Sequence, residues 1–289
     1  MFDNIFAAIE KWMRELLTGM VESNMSTMFT DVNEKTSEIA AQVGRTPQNW
    51  NSSVFSMIQN LSESVVVPIA GIITLVLCYE LISMLTERNN LHDVDTWMFF
   101  KYFVKAWVAI YLVSNTFTIT MAVFDVGQSV VNSASGIING ETAIDVSSLS
   151  MQMQAAMATM EIGELVVLAL ETFLVSFCMK IMSVVITVIV YGRMIEIYLY
   201  TSLAPIPFAT MSNREWGHVG SNYFRGLFAL AFQAFLMMVC VAIYAALISS
   251  VRISSNMHSA LIGVAAYTVI LCFSLMKTGS LSKQIFGSH

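Results

Sequence analysis

The sequence predicts an all-α, polytopic helical membrane protein with about five transmembrane helices, an N-terminal amphipathic helix and a long central helix. Three observations predict this class. Hydrophobic residues make up 56% of the 289 residues, charged residues only 12%, about half the share of a soluble domain. Mean hydropathy is +0.68. Apolar runs of about twenty residues, enough to span a hydrocarbon core, recur along the chain. This composition excludes a water-soluble enzyme, a disordered scaffold and a secreted disulfide module.

Charge and cysteine usage narrow the class further. Fourteen Lys and Arg against twenty Asp and Glu give a net charge of −6. Proteins that neutralise nucleic-acid phosphates have the opposite balance, so we expect no direct, specific nucleic-acid binding. None of the four cysteines belongs to a C-x-x-C pair, and all lie in apolar runs, so we interpret them as small buried hydrophobic residues. They are Cys78, Cys178, Cys240 and Cys272.

The first element is an amphipathic helix predicted over residues 2–28. Apolar residues recur at spacings of three and four, and charged residues fill the opposite face. Two arrangements stay open: the helix lies flat on a bilayer, or it packs on its own protein or on a neighbouring copy. Residues 29–63 are polar, so residues 1–63 form one N-terminal segment. No basic start or cleavage site of a signal peptide is visible in residues 1–20.

Five apolar runs follow, and each is long enough to cross a bilayer. Pro68 lies in the first turn of the first run, where its missing N–H costs nothing, and Glu80 is the one charge within that run. Aromatic residues typical of a membrane interface precede the second run. The five predicted spans are residues 65–85, 106–124, 162–204, 226–248 and 260–276.

The central run, residues 162–204, is about twice as long as the hydrocarbon core is thick if it forms one helix. It must therefore cross once and project, or bend. Two crossings would need a loop near the middle of the run. We interpret the run as one crossing because the sequence near Lys180 contains no loop residues. Pro205 and Pro207 end the run, since proline interrupts a helix and restricts the residue before it.

The distribution of Lys and Arg predicts the orientation. Residues 86–105 contain three of them and residues 125–161 contain none. Placing the cation-rich loops in the cytoplasm puts the N-terminus outside and the C-terminus inside after five crossings. The predicted organisation is an extracytoplasmic segment (1–63), a transmembrane domain (64–277) with an extracytoplasmic loop (125–161) and a cytoplasmic loop (205–225), and a cytoplasmic tail (278–289).

Six charged residues lie within the predicted spans: Glu80, Glu164, Glu171, Lys180, Arg193 and Glu196. Each costs about 2.5–3.5 kcal/mol at membrane depth on insertion scales, so such groups pair or face water. Arg193 and Glu196 are three residues apart, which favours an intrahelical pair over a pore-facing role. Lys180 reaches water by snorkelling only if it lies near an interface. A proton or ion path is the functional alternative, and no sequence feature demands it.

No catalytic constellation is present. The chain has no H-E-x-x-H, G-x-S-x-G, Walker A or Rossmann glycine motif, and its four histidines are isolated without metal-ligand spacing. The clustered methionines near residues 151–160 are soft ligands for copper, but adaptable packing explains them better in a chain with 21 methionines. The sequence therefore predicts no enzyme, no metal and no cofactor.

One stretch is more specific than composition. Residues 193–210 read RMIEIYLYTSLAPIPFAT, and the pattern continues through Trp216, Gly220, residues 222–224, Gly226 and Gln233. This stretch resembles the TrbL-type polytopic inner-membrane component of conjugative type IV secretion systems, in the version carried by integrative and conjugative elements of Gram-positive bacteria. The likeness covers residues 160–250 in detail.

The resemblance implies a structural membrane-channel subunit that helps translocate DNA and its attached relaxase across the bacterial cell membrane. It implies a homo-oligomeric ring, with five copies as the expected number, working with a motor ATPase, a coupling ATPase and other channel subunits. By the same likeness, Arg193, Glu196, Pro205 and Pro207 shape the central helix and its cytoplasmic turn, where a partner would dock on exposed residues. The alternative is a small-molecule or ion transporter or channel unrelated to conjugation.

Overall fold

The chain is helical in the computed structural model, which describes residues 2–88, 96–138, 146–211, 215–250 and 257–288; these ranges contain no β-strand. The predicted all-α class is confirmed. A π-helical turn (Ser62–Val66) joins two of the helices. The helices are α1 (Phe2–Val43), α2 (Pro47–Trp50), α3 (Ser52–Leu61), α4 (Val67–Arg88), α5 (Thr96–Ser114), α6 (Thr116–Ile138), α7 (Val146–Met157), α8 (Ile162–Ser202), α9 (Pro205–Thr210), α10 (Gly217–Ser249) and α11 (Met257–Phe286).

Helix α1 continues 15 residues beyond the predicted amphipathic segment, to Val43. The polar residues after position 28 are only moderate helix formers, so tertiary packing must supply the stability. One face of α1 is buried along most of its length: Leu17, Val21, Met25, Met28, Phe29, Ile39 and Val43. From Leu17 onward the helix therefore packs on its own protein, one of the two arrangements that the sequence left open, whereas apolar residues before it, such as Phe6 and Trp12, are exposed.

The helix that contains the first predicted span begins before that span. Asn51 caps α3, because its Oδ1 accepts hydrogen bonds from the backbone N–H groups of Ser53 and Val54. From there the helix runs through the π-helical turn into α4 with no break, and Ser52–Glu80 is long and apolar enough to cross a membrane. The polar residues 52–63, which the sequence places in the N-terminal segment, thus belong to the same continuous helix as the first predicted span.

Four helices among the described residues are long and apolar enough to span a membrane, and a bent pair makes up to five. The bend separates α5 from α6 by 67° at Asn115, so the predicted span 106–124 is not one straight helix. Asn115 Nδ2 donates to the carbonyl of Tyr111, and Thr116 Oγ1 contacts the carbonyls of Leu112 and Val113. Side chains that bond helix carbonyls in this way favour bending.

The two predicted loops are largely helical. Residues 125–161 contain the end of α6 and the whole of α7, and residues 205–225 contain α9 and the start of α10. Helix α8, by contrast, confirms the long central helix: it is a single α-helix of 41 residues. Arg214 and Arg252, two further cations of the connecting segments, lie outside the described residues.

The chain divides into two compact units. Unit one comprises residues 1–43, 134–190 and 237–277. Its buried core includes Val21, Met25, Leu165, Leu168, Met237 and Val264.

Unit two comprises residues 44–133, 191–236 and 278–289. One of its clusters joins α6, α8 and α10, and a second joins α4, α5 and α9. The first consists of Val123, Phe124, Met194, Ile197, Leu227, Leu230 and Ala231, and the second of Ala70, Val113, Phe208 and Ala209.

Only one of the four cysteines is fully buried. Cys272 lies in the core, whereas Cys78 and Cys240 are half-buried and Cys178 is exposed. The prediction of small buried hydrophobic residues is therefore wrong for Cys178. An apolar face of a membrane helix is buried by lipid rather than by the chain itself, so apolar sequence does not distinguish the two environments.

Candidate functional site

The predicted site residues are divided between the two compact units. Glu171 and Lys180 belong to unit one. The residues in unit two are Glu80, Arg193, Glu196, Pro205 and Pro207.

Arg193 lies buried in unit two with an exposed fraction of 6%. Its Nη2 donates to the carbonyl of Leu230 on α10 at 3.4 Å, and its Nη1 lies 3.8 Å from the sulfur of Met194. Its Nε has no hydrogen-bond partner. A guanidinium with five N–H donors is thus only partly satisfied, which makes this residue costly to bury.

Glu196 pairs with a residue other than the predicted one. Lys283 Nζ of α11 donates to Glu196 Oε1 at 3.1 Å, and no ion pair joins Glu196 to Arg193, both of which the structure describes. The intrahelical pair predicted from their spacing is therefore wrong. Both partners of the observed pair are more than two-fifths exposed, so it contributes at most about 1 kcal/mol if water surrounds it.

The motif residues after Arg193 form a close crossing of α8 and α10. The rings of Tyr200 and Tyr223 are stacked with centroids 4.6 Å apart, and Tyr223 Oη donates to the carbonyl of Tyr200 at 2.7 Å. A Cβ added to Gly226 would lie 2.3 Å from Tyr200 Oη, so only glycine fits there without displacement. The sequence motif contains these residues, but it does not show that they contact each other.

The two prolines begin a buried turn. Pro205 is buried and Pro207 half-buried, and α9 packs against α4 and α5 through Phe208 and Ala209. A Cβ on Gly220 would lie 2.5 Å from the carbonyl oxygen of Pro207, so α9 approaches α10 closely. The prediction that this turn presents exposed residues to a partner is wrong for Phe208 and Ala209, because they are part of the core.

A polar seam joins α10 to α11 in unit two. Gln233 Nε2 donates to Thr278 Oγ1 at 3.3 Å, and Ser282 Oγ donates to the carbonyl of Ala229 at 2.5 Å. Gly279 lies opposite Gln233, with its built Cβ 3.2 Å from Gln233 Nε2. Gln233 belongs to the sequence motif, whereas no pattern in the sequence indicated its partners.

Glu80 and Lys180 are both exposed, and neither has an ion pair or hydrogen bond with a described residue. Each lies on a helix that is long and apolar enough to span a membrane. Ionisable groups in such helices face water or protein rather than lipid.

Glu171 contacts a histidine that the sequence presented as isolated. His258 Nδ1 at the start of α11 lies within hydrogen-bonding distance of Glu171 Oε2, and the contact is an ion pair when the imidazole is protonated. The two residues are 87 positions apart, so spacing gave no signal for the pair. Among the described residues no group of three His, Cys, Asp or Glu side chains is arranged to hold a metal ion.

A polar cluster lies between α1 and α8, and no sequence pattern predicted it. Lys35 Nζ lies 2.5 Å from Glu38 Oε2 and 3.3 Å from Thr187 Oγ1. A small cavity beside it is lined by Asp31, Lys35, Thr36, Met179, Ser183, Ile186, Tyr244, Thr268 and Leu271. These α1 residues were assigned to an outer polar segment, and their contact with an apolar span was not predicted.

The comparison with known protein families agrees with the resemblance. The family model described as TrbL/VirB6 plasmid conjugal transfer like protein matches residues 32–205, more than half of the chain. No curated protein and no solved structure matches the chain. The match begins in α1 and ends at the buried turn after α8, so it includes the polar cluster, Arg193 and Glu196. The chain belongs to the TrbL/VirB6 plasmid conjugal transfer family, and it is a multi-pass membrane component of conjugal transfer by type IV secretion.

Proposed function

We propose that this protein is a structural membrane-channel subunit of a conjugative type IV secretion system and helps translocate a DNA–relaxase substrate across the bacterial cell membrane. The observation that carries the proposal is the family match over residues 32–205. The members of this family are structural components of transfer systems, and the family is not a known enzyme family. The protein frames a passage and performs no chemistry.

Exposed charges on membrane-spanning helices support assembly into a homo-oligomeric ring. Glu80 and Lys180 would each cost about 2.5–3.5 kcal/mol against lipid on insertion scales. Contact with a neighbouring copy or with a water-filled centre removes that cost. The ring would work with a motor ATPase, a coupling ATPase and further channel subunits, and five copies is the number we expect.

The orientation that we propose puts the N-terminus outside the cell membrane and the C-terminal tail inside. The scarcity of cations in residues 125–161 supports it, since Lys and Arg accumulate in cytoplasmic loops. A reporter that is active only outside the membrane, fused after position 138, should be active. The same reporter fused after position 211 should be inactive.

Deletion of the gene from its conjugative element tests the function. Transfer frequency should fall by several orders of magnitude and recover when the wild-type gene is supplied in trans. The purified complex should contain the two ATPases. Normal transfer from the deletion strain would refute the proposal. Substrate-dependent flux through liposomes that contain only this protein would instead favour a small-molecule or ion transporter.

A further inference from the structure

Helix α1 runs beside α8 in the same direction. Asn24 Nδ2 donates to Thr172 Oγ1 at 3.5 Å, and further along both helices Lys35 Nζ donates to Thr187 Oγ1 at 3.3 Å. The residue numbers increase together, so the two helices are parallel over this stretch. All of these residues belong to unit one.

The part of α8 that contacts α1 falls within a helix that is long and apolar enough to span a membrane. Helix α8 carries two carboxylates that pair with α11, at Glu171 and Glu196. At 1.5 Å per residue they are about 38 Å apart along the axis, close to a hydrocarbon core of about 30 Å plus part of each interface. Residues 172–187 fall between them, and the contacts with α8 bring residues 24–35 of α1 to the same depth, in place of the extracytoplasmic position that the sequence predicts for residues 1–63.

The outward face of α8 at this depth suits lipid. Its exposed residues between positions 172 and 187 are Phe173, Leu174, Phe177, Cys178, Lys180, Ile181 and Val184. Lys180 is the exception, and it lies at one edge of this face. It follows Ser176 by four residues and precedes Thr187 by seven, so it shares the side of α8 that faces α1.

The outward face of α1 at the same depth is unsuited to lipid. From Val21 onward, the residues of α1 whose side chains are described as exposed form one helical stripe: Ser23, Ser26, Thr30, Glu34, Ser37 and Ala41. Their spacing of three and four puts them on one side. The stripe contains no large apolar residue, and a carboxylate such as that of Glu34 is expensive in hydrocarbon.

The first half of α1 continues the stripe with different chemistry. Its exposed large apolar residues are Ile5, Phe6, Ile9, Trp12, Leu16 and Met20. The same side of one helix therefore changes from apolar to polar near position 20. The change coincides with the stretch that α8 places at bilayer depth, so the polar half does not arise from a solvated loop.

We propose that the second half of α1 is a water-facing wall of the passage at bilayer depth, with Lys180 of α8 at its edge. The inference rests on the proposed function, because it names the surface that lines that passage. Hydroxyl groups with one carboxylate and one ammonium offer no series of cations to hold a phosphate backbone. Such a wall allows a polyanion to move past without retaining it.

Cysteine accessibility tests the wall with a matched pair of positions. In a variant without the four native cysteines, Thr30→Cys places a thiol on the polar stripe of α1, and Val184→Cys places one on the apolar face of α8 at the same depth. A membrane-impermeant thiol reagent is applied to cells that carry the whole transfer system and to inside-out vesicles from them. Thr30→Cys should react at least about tenfold faster, because the reactive thiolate forms in water and not in lipid. Lys180→Cys should behave like Thr30→Cys.

Each other outcome overturns the inference. Slow reaction at both positions means that lipid or another chain covers the stripe. Fast reaction at both means that this part of α8 lies outside the bilayer. A bulky label on Thr30→Cys should also lower transfer at least tenfold, while the same label on Val184→Cys should not. If the label reacts and transfer is unchanged, the wall is wetted but does not line the passage. Loss of transfer on gene deletion is a separate measurement, so failure of the proposed function is recognised independently.

Discussion

The crossing of α8 and α10 at Gly226 gives the sharpest test of the packing. In Gly226→Ala the added methyl group would lie 2.3 Å from Tyr200 Oη and 3.1 Å from Tyr200 Cζ. The Tyr200 ring cannot move away freely, because it is stacked on the ring of Tyr223. The Tyr223 hydroxyl also donates a hydrogen bond to the backbone carbonyl of Tyr200, which keeps the two residues together. Forcing a methyl group into such a contact costs about 1–3 kcal/mol.

Helix propensity acts in the opposite direction and sets the control. Gly192 lies within α8 and nothing is within 4 Å of its built Cβ, so Gly192→Ala should stabilise the protein by up to about 1 kcal/mol. The two variants add the same atom at a helical glycine. The difference between their stabilities isolates the contact with Tyr200. We expect Gly226→Ala to be less stable than Gly192→Ala by about 1–3 kcal/mol.

Thermal unfolding of the purified protein in detergent measures the difference, since about 1 kcal/mol shifts the midpoint by roughly 2–4 °C in a chain of this size. Adding Tyr200→Phe removes the nearest atom, so the double variant with Gly226→Ala should recover most of the loss. Equal midpoints for Gly226→Ala and Gly192→Ala would refute the reasoning. A double variant no more stable than Gly226→Ala would assign the loss to another contact.

Three further variants test the remaining contacts. Arg193→Met removes a buried, partly satisfied guanidinium, so it should increase the free energy of unfolding by about 1–3 kcal/mol and raise the unfolding midpoint. A lower midpoint would contradict the cost assigned to this charge. Gly127→Leu should lower the midpoint and the yield of folded protein, because even a Cβ at Gly127 would lie 3.0 Å from the carbonyl oxygen of Ala231 on α10. Lys283→Met removes a surface ion pair and should change stability by less than about 1 kcal/mol, so a larger loss measured by the same assay would show that the pair is shielded from water.

Local patterns predicted the helical class and the long central helix, because composition and apolar run length determine both. They failed where distant residues decide. The length of α1 depends on a buried face that meets other helices, and its polar residues alone favoured a tail. The pairs of Glu171 and Glu196 each join residues 87 positions apart, so no helical spacing reveals them.

The bend and the turn show the same limit in different ways. Asn115 and Thr116 are ordinary residues in an apolar run, and only their hydrogen bonds to preceding carbonyls mark the break. The two prolines correctly predicted the end of α8. The exposure of the turn after α8 depends on its contacts with α4 and α5. Residue spacing along the sequence does not predict those contacts.

The three close glycine contacts in unit two have a consequence for how this family changes during evolution. At Gly127 and Gly220 the added carbon would meet a backbone oxygen, and at Gly226 it would meet a tyrosine ring that is held in place. The flexible Met211 side chain near Gly220 can move aside, but the backbone oxygens cannot and the Tyr200 ring is held by its stacking on Tyr223, so large side chains are not tolerated at these positions. A saturation screen should therefore find these positions all-or-none, whereas the exposed apolar residues of α8 should accept most hydrophobic replacements. We therefore expect sequence change in unit two to concentrate at exposed apolar positions while the glycine crossings stay fixed.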